Sequence, residues 1–107
     1  MATRETGGYF TADADGSQLR LIHAILSPAI VATITTAEQT FTVPEVLAAD
    51  VAVSVQKPTN NAGVMVGQAR VSAANQLGIT FVNPTAAGVT PTASQEYIFG
   101  IASDRGL

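Results

Sequence analysis

A chain of 107 residues that is 47% hydrophobic is sized for one domain with its own core. Its net charge of −3 and its scattered cations (Arg4, Arg20, Lys57, Arg70 and Arg105) leave no basic stripe, which argues against nucleic acid as a partner. The absence of cysteine excludes disulfides and thiolate metal sites, and no apolar run approaches the roughly 20 residues of a membrane helix.

Only 12% of the residues are charged, about half the share of an ordinary soluble domain. Either neutral hydroxyls and amides coat the surface or a partner covers part of it. Residues 1–8 lack an apolar h-region and are not expected to be a secretory signal.

Residues 1–16 read as an N-terminal arm. Gly7-Gly8 is flexible, and Asp13-Ala14-Asp15-Gly16 has turn composition. Tyr9 and Phe10 stand between them, to clamp the arm on its own core or to anchor it on a neighbouring chain. Residues 17–26 predict a strand with Leu19, Leu21, His23 and Ile25 on one face and Gln18, Arg20, Ile22 and Ala24 on the other. Ser27-Pro28 ends it. A second strand is expected over 29–36, a turn over 37–39 and a short return strand over 40–43.

Pro44 stops that strand, and 45–49 reads as a crossing between sheets, too short for a stable helix. Residues 50–56 predict a strand with Val51, Val53 and Val55 on one face. Residues 57–63 form a loop. The stretch 63–83 is the strongest signal in the chain: two period-two segments about a polar turn at 74–76, a hairpin. Gly67 interrupts the first segment, as a bulge or bend does. A loop over 83–94 follows, with Val89 as its plug, and then a last strand over 95–103 with Tyr97, Phe99 and Ile101 on one face.

About seven strands, turns at short intervals and few helical signals predict an all-β fold. The expected architecture is a single-domain antiparallel β-sandwich, jelly-roll or Ig-like, over 17–107, preceded by the arm 1–16. The strands at 17–26 and 29–36 are apolar on both faces, which places them mid-sheet or at a subunit contact. Weakly charged edge strands aggregate unless covered, a second pointer to oligomers.

No catalytic constellation emerges. Asp13-Ala14-Asp15-Gly16-Ser17 begins like a calcium loop, but Ala24 stands where the bidentate Glu belongs, so an Asx-type turn is the better reading. His23 is the only histidine and has no nucleophile elbow in its company. The run Gly63-Val64-Met65-Val66-Gly67 lacks the ending of a phosphate loop, and Asn83-Pro84-Thr85 fails as a glycosylation site because Pro follows Asn. Tyr9, Phe10, Tyr97 and Phe99 make a conceivable sugar-stacking shelf, although core packing is favoured. No catalytic residue, cofactor or metal is therefore assigned.

Four stretches carry a resemblance: Val51-Ala-Val-Ser-Val-Gln-Lys-Pro-Thr, Ala69-Arg-Val-Ser-Ala-Ala-Asn, Ile79-Thr-Phe-Val-Asn-Pro-Thr and Val89-Thr-Pro-Thr-Ala-Ser-Gln-Glu-Tyr97. Over 41–101 the chain resembles small virion proteins of tailed bacteriophages, in particular capsid decoration (cement) proteins. The resemblance implies a β-sandwich that oligomerises on the outer capsid surface and reinforces contacts between major capsid protein subunits. The partners expected are the major capsid protein and further copies of the chain, as a homotrimer or alternatively a homodimer, with no nucleic acid and no membrane. Arg4, Tyr9 and Phe10 of the arm, Lys57, Asn60 and Asn61 of one loop, and Thr85 and Val89 of another are the candidate interface residues. The alternative function is a glycan- or receptor-binding module of a tail or spike. An enzyme has little support.

Overall fold

The computed structural model describes the backbone of residues 3–11 and 17–104 and the side chains of residues 19–103. Among the described residues there is no helix, and all strand pairing is antiparallel. One sheet has the order β1 (Thr3–Thr11), β2 (Ser17–Leu26), β7 (Gln95–Asp104), β4 (Val51–Gln56); the other has β3 (Thr35–Thr42), β6 (Gln76–Asn83), β5 (Met65–Ala73). The protein is all-β, with both sheets contributing to one apolar core. This arrangement is compatible with a β-sandwich.

Period-two alternation builds that core. Ile22, Ala24 and Leu26 point inward from β2, Tyr97, Phe99 and Ile101 from β7, and Leu77, Ile79 and Phe81 from β6; all are buried. Full burial of each large side chain stabilises by about 1.5–3 kcal/mol. The two outward faces differ in kind. On the β3–β6–β5 sheet, Thr36, Glu38 and Thr40 of β3 point outward, and Glu38 accepts two hydrogen bonds from Arg70 across Gly78, at 2.6 and 2.8 Å. The Arg70 guanidinium holds the Glu38 carboxyl below its ordinary value, chiefly through these bonds. On the other sheet the alternation of β2 and β7 puts Leu19, Leu21, Ile25, Ile98 and Ala102 outward.

The strands β4 and β5 are the edges of their sheets and lie beside each other across a cleft of about 400 Å³. Each edge is interrupted where it borders the cleft. The register slips at Val53 in β4 and at Gly67 in β5, where sequence pattern places a bulge. Such bulges twist an edge away from further pairing.

Three expectations are corrected. The strand expected over 29–36, the turn over 37–39 and the strand over 40–43 are replaced by an irregular segment and one continuous strand, β3. Its register runs unbroken from Thr35 opposite Asn83 to Thr42 opposite Gln76, so the ladder of β6 overrides a turn composition that lacks Gly, Pro or Asn. The segment before it is held in place by side chains. The Gln39 amide accepts from Ala29 N at 2.8 Å and donates to Ala29 O at 2.9 Å, a substitute for a ladder step. In β4 the three valines do not share a face: the bulge at Val53 leaves Val51 and Val53 exposed while Val55 packs on the core. The hairpin turn is also shorter than expected. Ala73 pairs with Gln76, and Asn75 takes a φ of 60°, a value that Asn tolerates.

Residues 3–11 of the expected arm form β1, hydrogen-bonded to β2 from Thr3 opposite Ala24 to Thr11 opposite Gln18. The register breaks between Thr6 and Phe10, where Gly7 and Gly8 stand.

The crossing from β3 to β4 is fixed by polar groups. Asn75 N donates to Val46 O at 2.7 Å, Val43 N to Asn75 O at 2.9 Å, and Glu45 N to Asn75 Oδ1 at 3.0 Å. Arg20, buried on β2, donates through Nη2 to Asp50 Oδ2 at 3.1 Å and to Glu45 O at 2.7 Å. Asp50 Oδ2 also accepts from Leu47 N at 2.9 Å. Asp50→Ala takes the carboxylate away from the buried Arg20 guanidinium, so it is expected to destabilise by about 3–5 kcal/mol in urea unfolding. The double replacement Arg20→Met with Asp50→Leu removes both charges and should cost much less.

Candidate functional site

Antiparallel pairing brings three connections to one end of the molecule: 27–34 after β2, 57–64 after β4 and 84–94 after β6. They are tied to one another. Val31 and Val89 exchange backbone hydrogen bonds at 2.8 and 3.0 Å. Asn61 Nδ2 donates to Thr92 Oγ1 at 2.9 Å, and Thr59 Oγ1 to Gln95 Oε1 at 2.6 Å.

Asn83 is the post on which this end stands. It is fully buried, and its Nδ2 donates to Val31 O at 3.0 Å and to Ala87 O at 2.9 Å. Its Oδ1 accepts from Thr85 N at 2.9 Å and Thr85 Oγ1 at 2.7 Å. The Thr85 carbonyl in turn accepts from Thr33 Oγ1 at 2.5 Å and from Ile34 N at 3.1 Å. That clamp holds Ile34 at a φ of 46°, a left-handed backbone that a β-branched residue adopts only under constraint. Ile34 is nevertheless 74% exposed, and Ile30 beside it is 63% exposed.

Ile30 lies over Gly88, where a Cβ would come within 2.9 Å of its Cδ1. Two shallow depressions meet at Pro84. One, of about 500 Å³, is walled by Ile34, Thr36 and Val82; the other, of about 270 Å³, by Asn60, Val64 and Met65. The end is thus a rigid, mostly neutral platform with exposed isoleucine and methionine side chains. Exposed apolar side chains on such a platform are chemically suited to contact with another apolar surface.

The candidate residues on loops 57–63 and 83–94 come together here, several as scaffold. Lys57 Nζ donates to Thr59 O and Asn61 Oδ1, and burial pushes its ammonium below the ordinary value. Asn60 is exposed beside Pro84. Thr85 locks Ile34, and Val89 packs on the core as a plug. Arg4, Tyr9 and Phe10 belong to β1, and their side chains lie outside the described residues, as does the turn Asp13-Ala14-Asp15-Gly16.

Sequence reading missed Ile30 and Ile34 because it placed them in a strand. The signal was present: two isoleucines follow Ser27-Pro28, in a segment that Pro28 had already freed from the ladder.

His23 faces outward on β2, its Nδ1 3.0 Å from Glu96 Oε1 of β7. Among the described residues no three His, Asp or Glu side chains gather into a metal-binding group. The conceivable sugar shelf loses two of its rings: Tyr97 and Phe99 are both 0% exposed, because their strand face is the core face. No family model, no curated protein and no solved structure matches this chain.

Burial raises the Tyr97 phenol above its ordinary value of 10.0. Its hydroxyl has no hydrogen-bond partner among the described residues. A raised folded value means full stability below pH 10 and loss as the pH rises beyond it, since the unfolded chain releases the proton first. Tyr97→Phe should remove that alkaline loss, read as unfolding midpoints between pH 8 and pH 11. At neutral pH it should leave stability unchanged or raise it by about 1 kcal/mol.

Proposed function

We propose that this protein is a structural virion protein that decorates the outer surface of a phage capsid and stabilises contacts between major capsid protein subunits. It works through area rather than chemistry. The sequence resemblance over 41–101 motivates the reading. The observation that carries it is Ile34, a strained, exposed isoleucine held on a three-loop platform. A backbone held in a costly conformation to display an apolar side chain to solvent serves recognition better than it serves folding.

At the finer level of fold, we read the two layers as a jelly-roll or Ig-like β-sandwich of about seven strands. Four changes of sheet along the chain, after β2, β3, β4 and β6, support that reading. The glycan-binding alternative has lost the Tyr97–Phe99 pair on which its shelf partly rested.

The test is co-sedimentation of the purified protein with phage heads that lack it, followed by heating of the pelleted particles. Saturable binding with a raised rupture temperature is expected, since a ligand that binds only the intact shell stabilises it. Ile34→Asn separates binding from folding. Asn accepts a left-handed φ, so the variant should be more stable by about 1 kcal/mol, while loss of an apolar anchor should weaken head binding by roughly 30-fold. Unchanged head binding by a folded Ile34→Asn protein would remove the platform from the contact.

A further inference from the structure

Each sheet has two edge strands, and three of the four are broken. β1 loses register between Thr6 and Phe10, β4 between Ala52 and Ser54, and β5 between Val66 and Gln68 and again between Val71 and Ala73. Only β3 keeps register through its whole length, Thr35 to Thr42. It also has no Lys and no Pro, the residues that discourage pairing at an edge. Among the described residues its backbone pairs with β6 on one side and with nothing on the other. The link from Gln39 to Ala29 is made by a side chain on the inner face and leaves that backbone edge as it is. We infer that β3 of a second copy pairs antiparallel with this edge about a twofold axis, joining two three-stranded sheets into one of six strands.

The chemistry of the edge sets the class of occupant. A row of N–H and C=O groups along an extended strand is answered by another extended backbone, and main-chain hydrogen bonds supply the affinity of such strand addition. The side chains select this chain's own β3. Thr36, Glu38 and Thr40 point outward, and Ala37, Gln39 and Phe41 inward. A twofold axis perpendicular to the sheet keeps each face on its own side, so outward residues meet outward ones and inward residues meet inward ones. An axis at Gln39 sets Thr36 opposite the partner's Thr42, Ala37 opposite the partner's Phe41 and Glu38 opposite the partner's Thr40.

Charge and packing both favour that register. Glu38 is the one charged residue of the strand, and Arg70 draws its carboxylate across Gly78, away from the free edge. An axis at Glu38 would set it against its own copy, a like-charge pair that opposes pairing. An axis at Gln39 gives the carboxylate a hydroxyl donor instead. On the inner face Leu77 and Phe81 of β6 are fully buried, whereas Phe41 and Ala37 in register beside them are half-buried. The pairing closes that gap, with the small Ala37 of each copy against the large Phe41 of the other. Isologous contact closes at two copies, so the inference selects the dimer over the trimer. It stands independently of the virion reading and is tested without phage heads.

Sedimentation equilibrium of the full-length protein at about 100 μM should give twice 11.0 kDa. Thr36 and Thr42 are exposed and lie about 20 Å apart within one chain, yet meet across the pair. Thr36→Glu with Thr42→Glu sets like charges opposite each other twice and should fall to the monomer mass. Thr36→Glu with Thr42→Lys sets opposite charges there, and its dissociation constant should be at least about 10-fold lower than that of the first double variant. A wild-type monomer, a trimer mass, or two double variants with equal dissociation constants overturns the inference. If the charged variants fail to fold, cysteines introduced into this cysteine-free chain decide. A short bis-maleimide should join Thr36→Cys to Thr42→Cys in an equimolar mixture and should leave Thr36→Cys alone uncoupled. Absence of the mixed product, or coupling of Thr36→Cys to itself, overturns the inference equally.

Discussion

The buried Arg20–Asp50 pair sets the constraint at one end of this fold. An inward-facing guanidinium on β2 demands oxygen atoms in a region otherwise filled by Ile22 and Ile101. The chain supplies them from the crossing between β3 and β4, through the Asp50 carboxylate and the Glu45 carbonyl. The crossing is thereby placed against β2, and β4, which begins one residue after Asp50, is delivered to the free side of β7. Asn75 joins the β5–β6 hairpin to the same crossing, so three segments from both sheets share one polar knot.

The other end repeats the solution with a neutral residue. Asn83 is buried at the end of β6 and hands its amide to two separate loops. Polar side chains thus close the core at both ends, while its middle stays apolar. The difference lies in what each end displays. The Asn83 end stores a strained backbone at Ile34 and exposes two isoleucines. Hydrogen bonds to the Thr85 carbonyl from Thr33 Oγ1 and Ile34 N fix the backbone from which Ile34 projects.

Sequence alone made the inner faces of β2 and β7 legible, because strict alternation of Ile22 and Ala24, and of Tyr97, Phe99 and Ile101, has one solution on a strand. The hairpin and the interruption at Gly67 were legible for the same reason. The loops over 57–63 and 83–94 were legible from composition, and their meeting followed from antiparallel topology. The bulge at Val53 left no mark, since Val-Ala-Val-Ser-Val reads as perfect alternation, yet it decides which valines face solvent. Nothing in Thr33-Ile34-Thr35 announces a left-handed φ either. That conformation is imposed by Thr85, some fifty residues later, and β-propensity pointed the other way. The partner of Arg20 was equally hidden, because thirty residues separate it from Asp50.

The sheet face and the loop end differ in how their apolar side chains are presented. Leu21 stands level with Gly100 on the neighbouring strand, and Ser54 and Val53 of β4 take the space above that glycine, so the edge strand levels the sheet face from within the chain. At the loop end nothing of the kind among the described residues covers Ile34: it stands 74% exposed on a backbone fixed by the Thr85 carbonyl, and β-branching alone would have drawn it into an extended conformation.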